Sequence, residues 1–210
     1  MATDPPEALV GSGFEPGSRA GLESGFERGF DIDNAVLGGE LPGAVQALIQ
    51  QAGQIRGQVP LALLLLEQAH ALAPHHPATL IAIYRFHFYG NRISEARDVA
   101  LRALALAQRE LGLAARWQEV QRDVRFDDLT PLPRFFLFAL KAYAYLSLRL
   151  RELDEGRAVI ERLAVLDPRD RVGHRVLATV LAGMGREDVG YEDCPDIAVP
   201  AAALVGGAQP

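Results

Sequence analysis

The side chains that most often bind metal ions or act as nucleophiles are sparse in this sequence and lack the spacing that either chemistry requires. The 210 residues include one cysteine, Cys194, and five histidines. A single cysteine forms neither an intrachain disulfide nor a thiolate zinc cluster. His75 and His76 follow Pro74 in a predicted turn without a carboxylate or cysteine at helical spacing, and His87 has aromatic neighbours. We interpret His75 and His76 as exposed turn residues and His87 as a packed side chain, and we expect no metal site.

The motifs of common enzyme classes are also missing from the sequence. It contains no Walker phosphate loop, no His-Glu-x-x-His, no Gly-x-Ser-x-Gly and no paired Cys-x-x-Cys. Gly11-Ser12-Gly13 lacks the strand and helix that would make it a phosphate cradle. No nucleophile stands next to a base in a recognisable pattern. We therefore expect no enzymatic activity and no cofactor.

The elements that would position any functional side chain are predicted by an internal repeat. Residues 43–76, 77–110 and 137–170 align with one another at a period of 34 residues. Such a period is typical of helix pairs that cannot bury their apolar faces alone and therefore stack. The sequence predicts an all-α solenoid of about three helix-turn-helix units.

Turn-forming and helix-starting residues recur at equivalent positions of the three units. The fifteenth position of each unit should end the first helix and is occupied by Gly57, Asn91 and Arg151. Glycine and asparagine tolerate the left-handed backbone at such a position better than arginine does. Helix-opening residues follow three positions later, namely Pro60, Ser94 and Asp154. The positions where paired helices should cross are small in five of six cases: Ala62, Ala96, Gly156, Ala69, Ala103 and, as the exception, Leu163.

The ends of the repeats are marked by proline and glycine. Pro74 and Pro168 should stop the second helix of the first and third units. The second unit lacks this proline, so its helix is expected to run on to Leu111 and end at Gly112. A partial fourth unit, 171–185, is predicted to be a capping helix that covers the last apolar face.

An insertion of 26 residues, 111–136, separates the second and third units. It contains the only tryptophan, Trp117. Loops of this length are ordered by packing or are functional. Trp117 therefore either packs on the flank of the solenoid, which we favour, or lines a binding surface.

The charges divide the chain into three parts. Residues 1–42 contain eight acidic residues and two arginines, and residues 186–210 contain five acidic residues and one arginine. The block 43–185 carries a net charge of +4, within a total of −6. We expect both acidic tails to be disordered. Without a basic and apolar leader or an apolar run of membrane-spanning length, the sequence predicts a cytoplasmic protein that has no membrane partner.

Phenylalanine recurs in the N-terminal tail. Gly13-Phe14-Glu15 is repeated as Gly25-Phe26-Glu27 and is followed by Gly29-Phe30. These residues are either incidental aromatics in a low-complexity tail or short linear motifs that dock on a groove. In the second case, the acceptor is a partner or the basic solenoid of this protein.

The repeat pattern resembles the tetratricopeptide repeat family, whose units have small residues at three positions and proline near the end of the second helix. Gln50, Tyr84 and Leu163 depart from that pattern. The resemblance implies a concave groove lined by the first helix of each unit. In this sequence the corresponding residues are Gln51, Arg85, Phe88, Tyr89, Lys141, Tyr145, Arg149 and, in the capping helix, Arg175.

A groove of this composition implies a protein ligand. Arginine binds carboxylates through paired hydrogen bonds and tyrosine offers rigid amphipathic contact, which predicts an acidic or C-terminal peptide. The alternative for Arg85 and Arg149 is solvation or pairing with an acid such as Glu152. We expect a non-enzymatic adaptor or assembly factor. The second hypothesis is a self-associating module with groove and tail as homodimer contacts, and the total charge disfavours nucleic acid.

The third unit carries a further resemblance. The run from Pro133 to Leu146, followed by Leu153-Asp154-Glu155-Gly156-Arg157 and Leu166-Asp167-Pro168, resembles small bacterial tetratricopeptide proteins of nitrogen-fixation gene neighbourhoods. This resemblance implies an accessory role in the maturation or regulation of a metalloenzyme, without a metal site in the protein itself.

Overall fold

The computed structural model describes residues 40–128 and 130–187, and the predicted tails lie almost wholly outside them. The described residues form α-helices and one 3₁₀ turn, with no strand among them. The helices are α1 (Gly43–Gln54), α2 (Val59–Leu72), α3 (Pro77–Tyr89), α4 (Ile93–Leu111), α5 (Arg125–Asp128), α6 (Pro131–Arg149), α7 (Leu153–Leu166) and α8 (Arg175–Glu187), with the 3₁₀ turn at Trp117–Glu119. The predicted all-helical class is confirmed.

The core is built around α6. Every residue of this helix from Phe135 to Leu148 is buried. A helix that is apolar on all sides must be enclosed by other elements, and α6 packs against α4, α5, α7 and α8. In the described part of the chain, no helix combines the length and the apolarity needed to cross a membrane.

Helices that follow one another in sequence pack side by side. Contacts join α1 to α2, α3 to α4, α6 to α7 and α7 to α8, while α2 packs on α3 and α4 on α6. The small residues predicted at the crossings are all buried. Leu163 is fully buried as well, so the larger side chain at this position is accommodated in the core.

The turns follow the prediction with three differences. Asn91 and Arg151 adopt φ of 54° and 62°. Arg151 thus takes the left-handed backbone conformation, although we expected arginine to be unfavourable there. Gly57 does not take this conformation. The second helix of each unit begins one residue earlier than predicted, at Val59, Ile93 and Leu153. As expected, α4 ends at Leu111 and Gly112 follows at φ 64°.

The insertion packs on the core. Trp117 is 8% exposed and meets Tyr143 edge to face, with ring centroids 6.3 Å apart. Phe126 of α5 stacks on Phe136 of α6 at 5.6 Å. The interpretation that Trp117 packs on the helical body is confirmed. Because α6 already begins at Pro131, part of the predicted insertion belongs to this helix.

Gly156 allows α7 to approach α6 closely. A Cβ atom at this position would lie 2.5 Å from Cδ2 of the buried Leu148. Gly156→Leu is expected to lower the free energy of unfolding by about 1–3 kcal/mol through overpacking, as measured by urea denaturation. In the control Gly183→Leu, the new Cβ meets nothing within 4 Å, and stability should be unchanged or slightly higher. Equal stability of the two variants would contradict this packing.

Candidate functional site

A groove runs between α1 and α3 and has a volume of about 500 Å³. Much of its lining is apolar, and we call this apolar part its floor; it includes Ile49, Ala52, Ile81, Ala82 and Phe86. Three arginines also line it: Arg56 from the turn after α1, Arg85 from α3 and Arg92 from the turn after α3. The described residues that line the groove include no acidic side chain. We call this site the α1–α3 groove.

Arg92 is held in place by its neighbours. Its Nε donates a hydrogen bond to Nδ1 of His87 at 3.1 Å, and its terminal nitrogen donates to the carbonyl oxygen of Phe86 at 2.7 Å. The guanidinium carbon lies 4.6 Å from the centroid of the Phe86 ring. Burial and the Arg92 charge lower the pKa of His87. A neutral imidazole can accept this hydrogen bond, so His87 orients a cation at the edge of the groove.

Predicted residues of α3 divide between the groove and the contact with α6. Arg85 and Tyr89 line the groove, and Tyr89 is 59% exposed. Phe88 instead stacks on Tyr84 at 5.6 Å and contacts Tyr145 of α6 at 6.0 Å. The structure thus brings Phe88 and Tyr145 together, but not as lining residues of the α1–α3 groove.

Arg149 belongs to the same contact between α3 and α6. It donates hydrogen bonds to the Tyr145 hydroxyl at 3.1 Å and to Oδ1 of Asn91 at 3.2 Å. Glu152, the acid considered as an alternative partner for Arg149, forms its ion pair with Arg97. Tyr84, Phe88, Tyr145 and Arg149 therefore form an aromatic–arginine cluster beside the groove.

Tyr84 is a member of this cluster that the sequence analysis did not include. It is buried, and burial raises the pKa of its hydroxyl well above the ordinary value. Its large side chain departs from the repeat pattern because it stacks on Phe88 one helical turn later. This spacing of four residues between two aromatics is a signal of a shared helix face.

Lys141 lies in the core, one turn before Tyr145. It is 8% exposed, and its Nζ donates a hydrogen bond to the carbonyl oxygen of Val172 at 2.6 Å. Burial lowers the pKa of its ammonium group, while Asp170 acts in the opposite direction. Lys141 therefore ties α6 to the loop between α7 and α8.

Asp167, Asp170 and His174 of this loop form a cluster that the sequence analysis missed. One candidate ligand atom from each residue lies within 4.8 Å of the others. Asp167 accepts the N–H of Val172 at 2.9 Å, and Asp170 lies 2.8 Å from Nδ1 of His174. The neighbouring Lys141 ammonium opposes the binding of another cation, so we interpret the cluster as part of the loop's polar network. The signal in the sequence is Asp-x-x-Asp-x-x-x-His.

Gln51 and Arg175 are not brought to the α1–α3 groove. Gln51 is exposed on α1 and is not among the residues that line it. Arg175 begins α8, where its N–H donates to Asp170 at 3.1 Å and its guanidinium donates to the carbonyl of Pro168 at 3.4 Å.

His75 and His76 lie in the turn before α3, as predicted. His75 pairs with Glu110 of α4 at 3.0 Å and is largely exposed. The ring of His76 accepts the N–H of Ala78 at 3.2 Å and caps α3. The contact with Glu110 joins residues far apart in sequence, so helical spacing did not reveal it.

Comparison with known proteins finds a relative in a nif gene region. A stretch of 118 residues is 38% identical to an uncharacterized 19.8 kDa protein from the nifW 5′ region of Azotobacter chroococcum mcd 1. The match covers 55% of this chain and 66% of the relative, just under two thirds of that protein's length. No protein-family model matches the chain. No solved structure matches it either.

A structural role of Lys141 is tested by Lys141→Met. The variant leaves the Val172 carbonyl without its ammonium donor and is expected to lower the free energy of unfolding by about 1–3 kcal/mol, as measured by urea denaturation. Arg169→Met removes an exposed charge from the same loop and should change stability little. Unchanged stability of Lys141→Met would contradict this role.

His70 and His87 predict a loss of stability in mild acid. Burial lowers the pKa of both imidazoles, as do Arg102 for His70 and Arg92 for His87. The unfolded chain therefore binds these protons more tightly, so the free energy of unfolding falls as the pH drops below about 6.5. Urea denaturation at about pH 7.5 and about pH 5.5 measures this loss. This loss of stability should be smaller in the double variant His70→Gln, His87→Gln than in the control variant His75→Gln. An equal loss in the two proteins would contradict the assignment of the pH dependence to His70 and His87.

Proposed function

We propose that this chain is a cytoplasmic, non-enzymatic adaptor that binds an acidic, aromatic segment of a partner protein in the α1–α3 groove. The observation that carries the proposal is the combination of an apolar floor with Arg56, Arg85 and Arg92 in one groove. An aromatic side chain of the ligand would enter the floor, and its carboxylates would pair with the guanidinium groups.

The size and openness of the groove fit a peptide segment. A volume of about 500 Å³ lies within the range of sites that enclose a small ligand or several side chains. Tyr89 extends the apolar surface at the groove with a largely exposed ring. Aromatic and arginine side chains in such positions contribute most of the energy of many protein interfaces.

A tetratricopeptide-like solenoid is the architecture that we propose for the helices. The 34-residue period and the packing of consecutive helices support it. In this arrangement α1, α3 and α6 are the first helices of their units. The α1–α3 groove and the contact of Phe88 with Tyr145 would then belong to one concave face.

The pathway that we propose is accessory to nitrogen fixation. The supporting observation is the relative from the nifW 5′ region, together with the resemblance of the third unit to small bacterial repeat proteins. In such a role, the groove would hold a segment of a metalloenzyme or of another factor during maturation or regulation.

Selection of displayed peptides tests the proposed function. Random peptides on phage are selected on immobilised full-length protein and on its variant Arg56→Glu, Arg85→Glu. We expect peptides with aromatic and acidic neighbours to be enriched on the unmodified protein. Recovery on the variant should be at least about tenfold lower because two charge-assisted contacts are lost.

The matched control reverses two charges elsewhere. Arg157 and Arg169 are exposed and do not line the described part of the groove, so Arg157→Glu, Arg169→Glu should leave recovery unchanged. No enrichment, or equal recovery on all three proteins, would contradict a peptide-binding groove.

Self-association is the alternative function that one observation favours. Leu61, Leu64 and Leu72 of α2 are 45%, 53% and 62% exposed. Leucines exposed together on a helix are a feature of interfaces. Sedimentation over about a hundredfold range of protein concentration should then show that the mass increases with concentration. The double variant Leu61→Gln, Leu64→Gln should lose this increase. A constant monomer mass of the unmodified protein would exclude this alternative.

A further inference from the structure

The segment that precedes α1 has a composition matched to a basic, apolar site. Residues 1–39 contain seven acidic residues and two arginines. A triplet of glycine, phenylalanine and an acidic residue occurs in it three times, at 13–15, 25–27 and 29–31. Each triplet joins an aromatic ring to a carboxylate, which is the chemistry that an apolar floor with arginines can bind.

The α1–α3 groove supplies the complementary surface. Its apolar floor can accept a phenyl ring, and its lining contributes three positive charges. None of the described residues that line it is acidic. The block 43–185 is positive overall, at +4, whereas residues 1–39 are negative. The local and the overall charges therefore both favour association of the segment with the groove.

From this match we infer that the chain's own N-terminal segment docks in the α1–α3 groove through Phe14, Phe26 or Phe30 and the acidic residue that follows. This inference rests on the proposed function, because it names an occupant of the same groove. The segment then competes with partner peptides for the site.

The distances along the chain permit docking within one molecule. Ile49, Ala52 and Gly53 of α1, with Arg56 from the turn after it, line one side of the groove. Phe30 and Phe26 precede Glu40, at the start of the described chain, by 10 and 14 residues. At about 3.5 Å per extended residue these segments reach about 35 and 49 Å, whereas α1 is about 18 Å long. A tether this short keeps the effective concentration of the rings high, so weak contacts suffice.

A photocrosslinking experiment tests the location of the segment. In the full-length protein, Phe26 is replaced with p-benzoylphenylalanine, and the crosslinked residues are identified by mass spectrometry after irradiation. We expect crosslinks to α1 and α3 of the same chain. Their yield should fall about tenfold with Arg56→Glu, Arg85→Glu, in line with the loss of two charge-assisted contacts.

The control places the same photoreactive group at Val10, outside the triplets. Equal yields from positions 10 and 26, or crosslinks confined to other helices, would overturn the inference. Crosslinked species of twice the chain mass would also overturn it, since they assign the groove to the segment of a second copy.

Competition supplies an independent readout. The probe is a fluorescent peptide with the sequence of residues 20–34. If the segment occupies nine tenths of the grooves, the full-length protein binds this probe about tenfold more weakly than Phe14→Ala, Phe26→Ala, Phe30→Ala does. The control Leu9→Ala, Val36→Ala, Leu37→Ala should bind like the unmodified protein. Equal affinity of the triple phenylalanine variant and the unmodified protein would overturn the inference.

The failure of this inference and the failure of the proposed function are distinguishable. If crosslinks form but no displayed peptide is selected even by the triple phenylalanine variant, the groove binds only its own segment and the proposed function fails. If peptides are selected equally by both proteins and no crosslinks form, the proposed function stands and the inference fails.

Discussion

Burial of α6 is the constraint on which the rest of the structure depends. Phe135, Phe136, Leu140 and Leu146 are fully removed from solvent, and each large apolar side chain contributes about 1.5–3 kcal/mol when it is buried. No single neighbouring helix can cover such a surface. α4, α7 and α8 each cover part of α6, and the insertion adds Trp117 and Phe126. The insertion between the second and third units thus contributes buried side chains to the core.

The N-terminal helices are enclosed less completely, and this difference creates the candidate site. α1 buries only Val45 and Ala52 among its 12 residues. α1 packs on α2, and a groove remains between α1 and α3. The chain therefore has a closed half around α6 and an open half around α1. The apolar lining of this open groove is costly to leave in water, which favours an occupant.

The helices and their ends were predictable because they depend on local chemistry. Gly112 stops α4 through its own backbone conformation, and the small residues at the crossings recur with the repeat. It was harder to predict from the sequence which side chains the helices bring together. Lys141 occupies a position assigned to the groove, but its flexible stem places the ammonium group against Val172. The pairing of Phe88 with Tyr145 likewise depends on the contact between α3 and α6, which local patterns do not specify.

An NMR titration tests most directly whether the α1–α3 groove is a binding site. ¹⁵N-labelled full-length Phe14→Ala, Phe26→Ala, Phe30→Ala is titrated with the peptide of residues 20–34, and amide shifts are followed for every helix. If the α1–α3 groove binds these segments, the largest changes fall on residues 49–56 and 78–92, which contain both walls of the groove. Changes confined to α7 and α8, or no saturable changes in any helix, would contradict the claim that the α1–α3 groove is a binding site for acidic, aromatic segments.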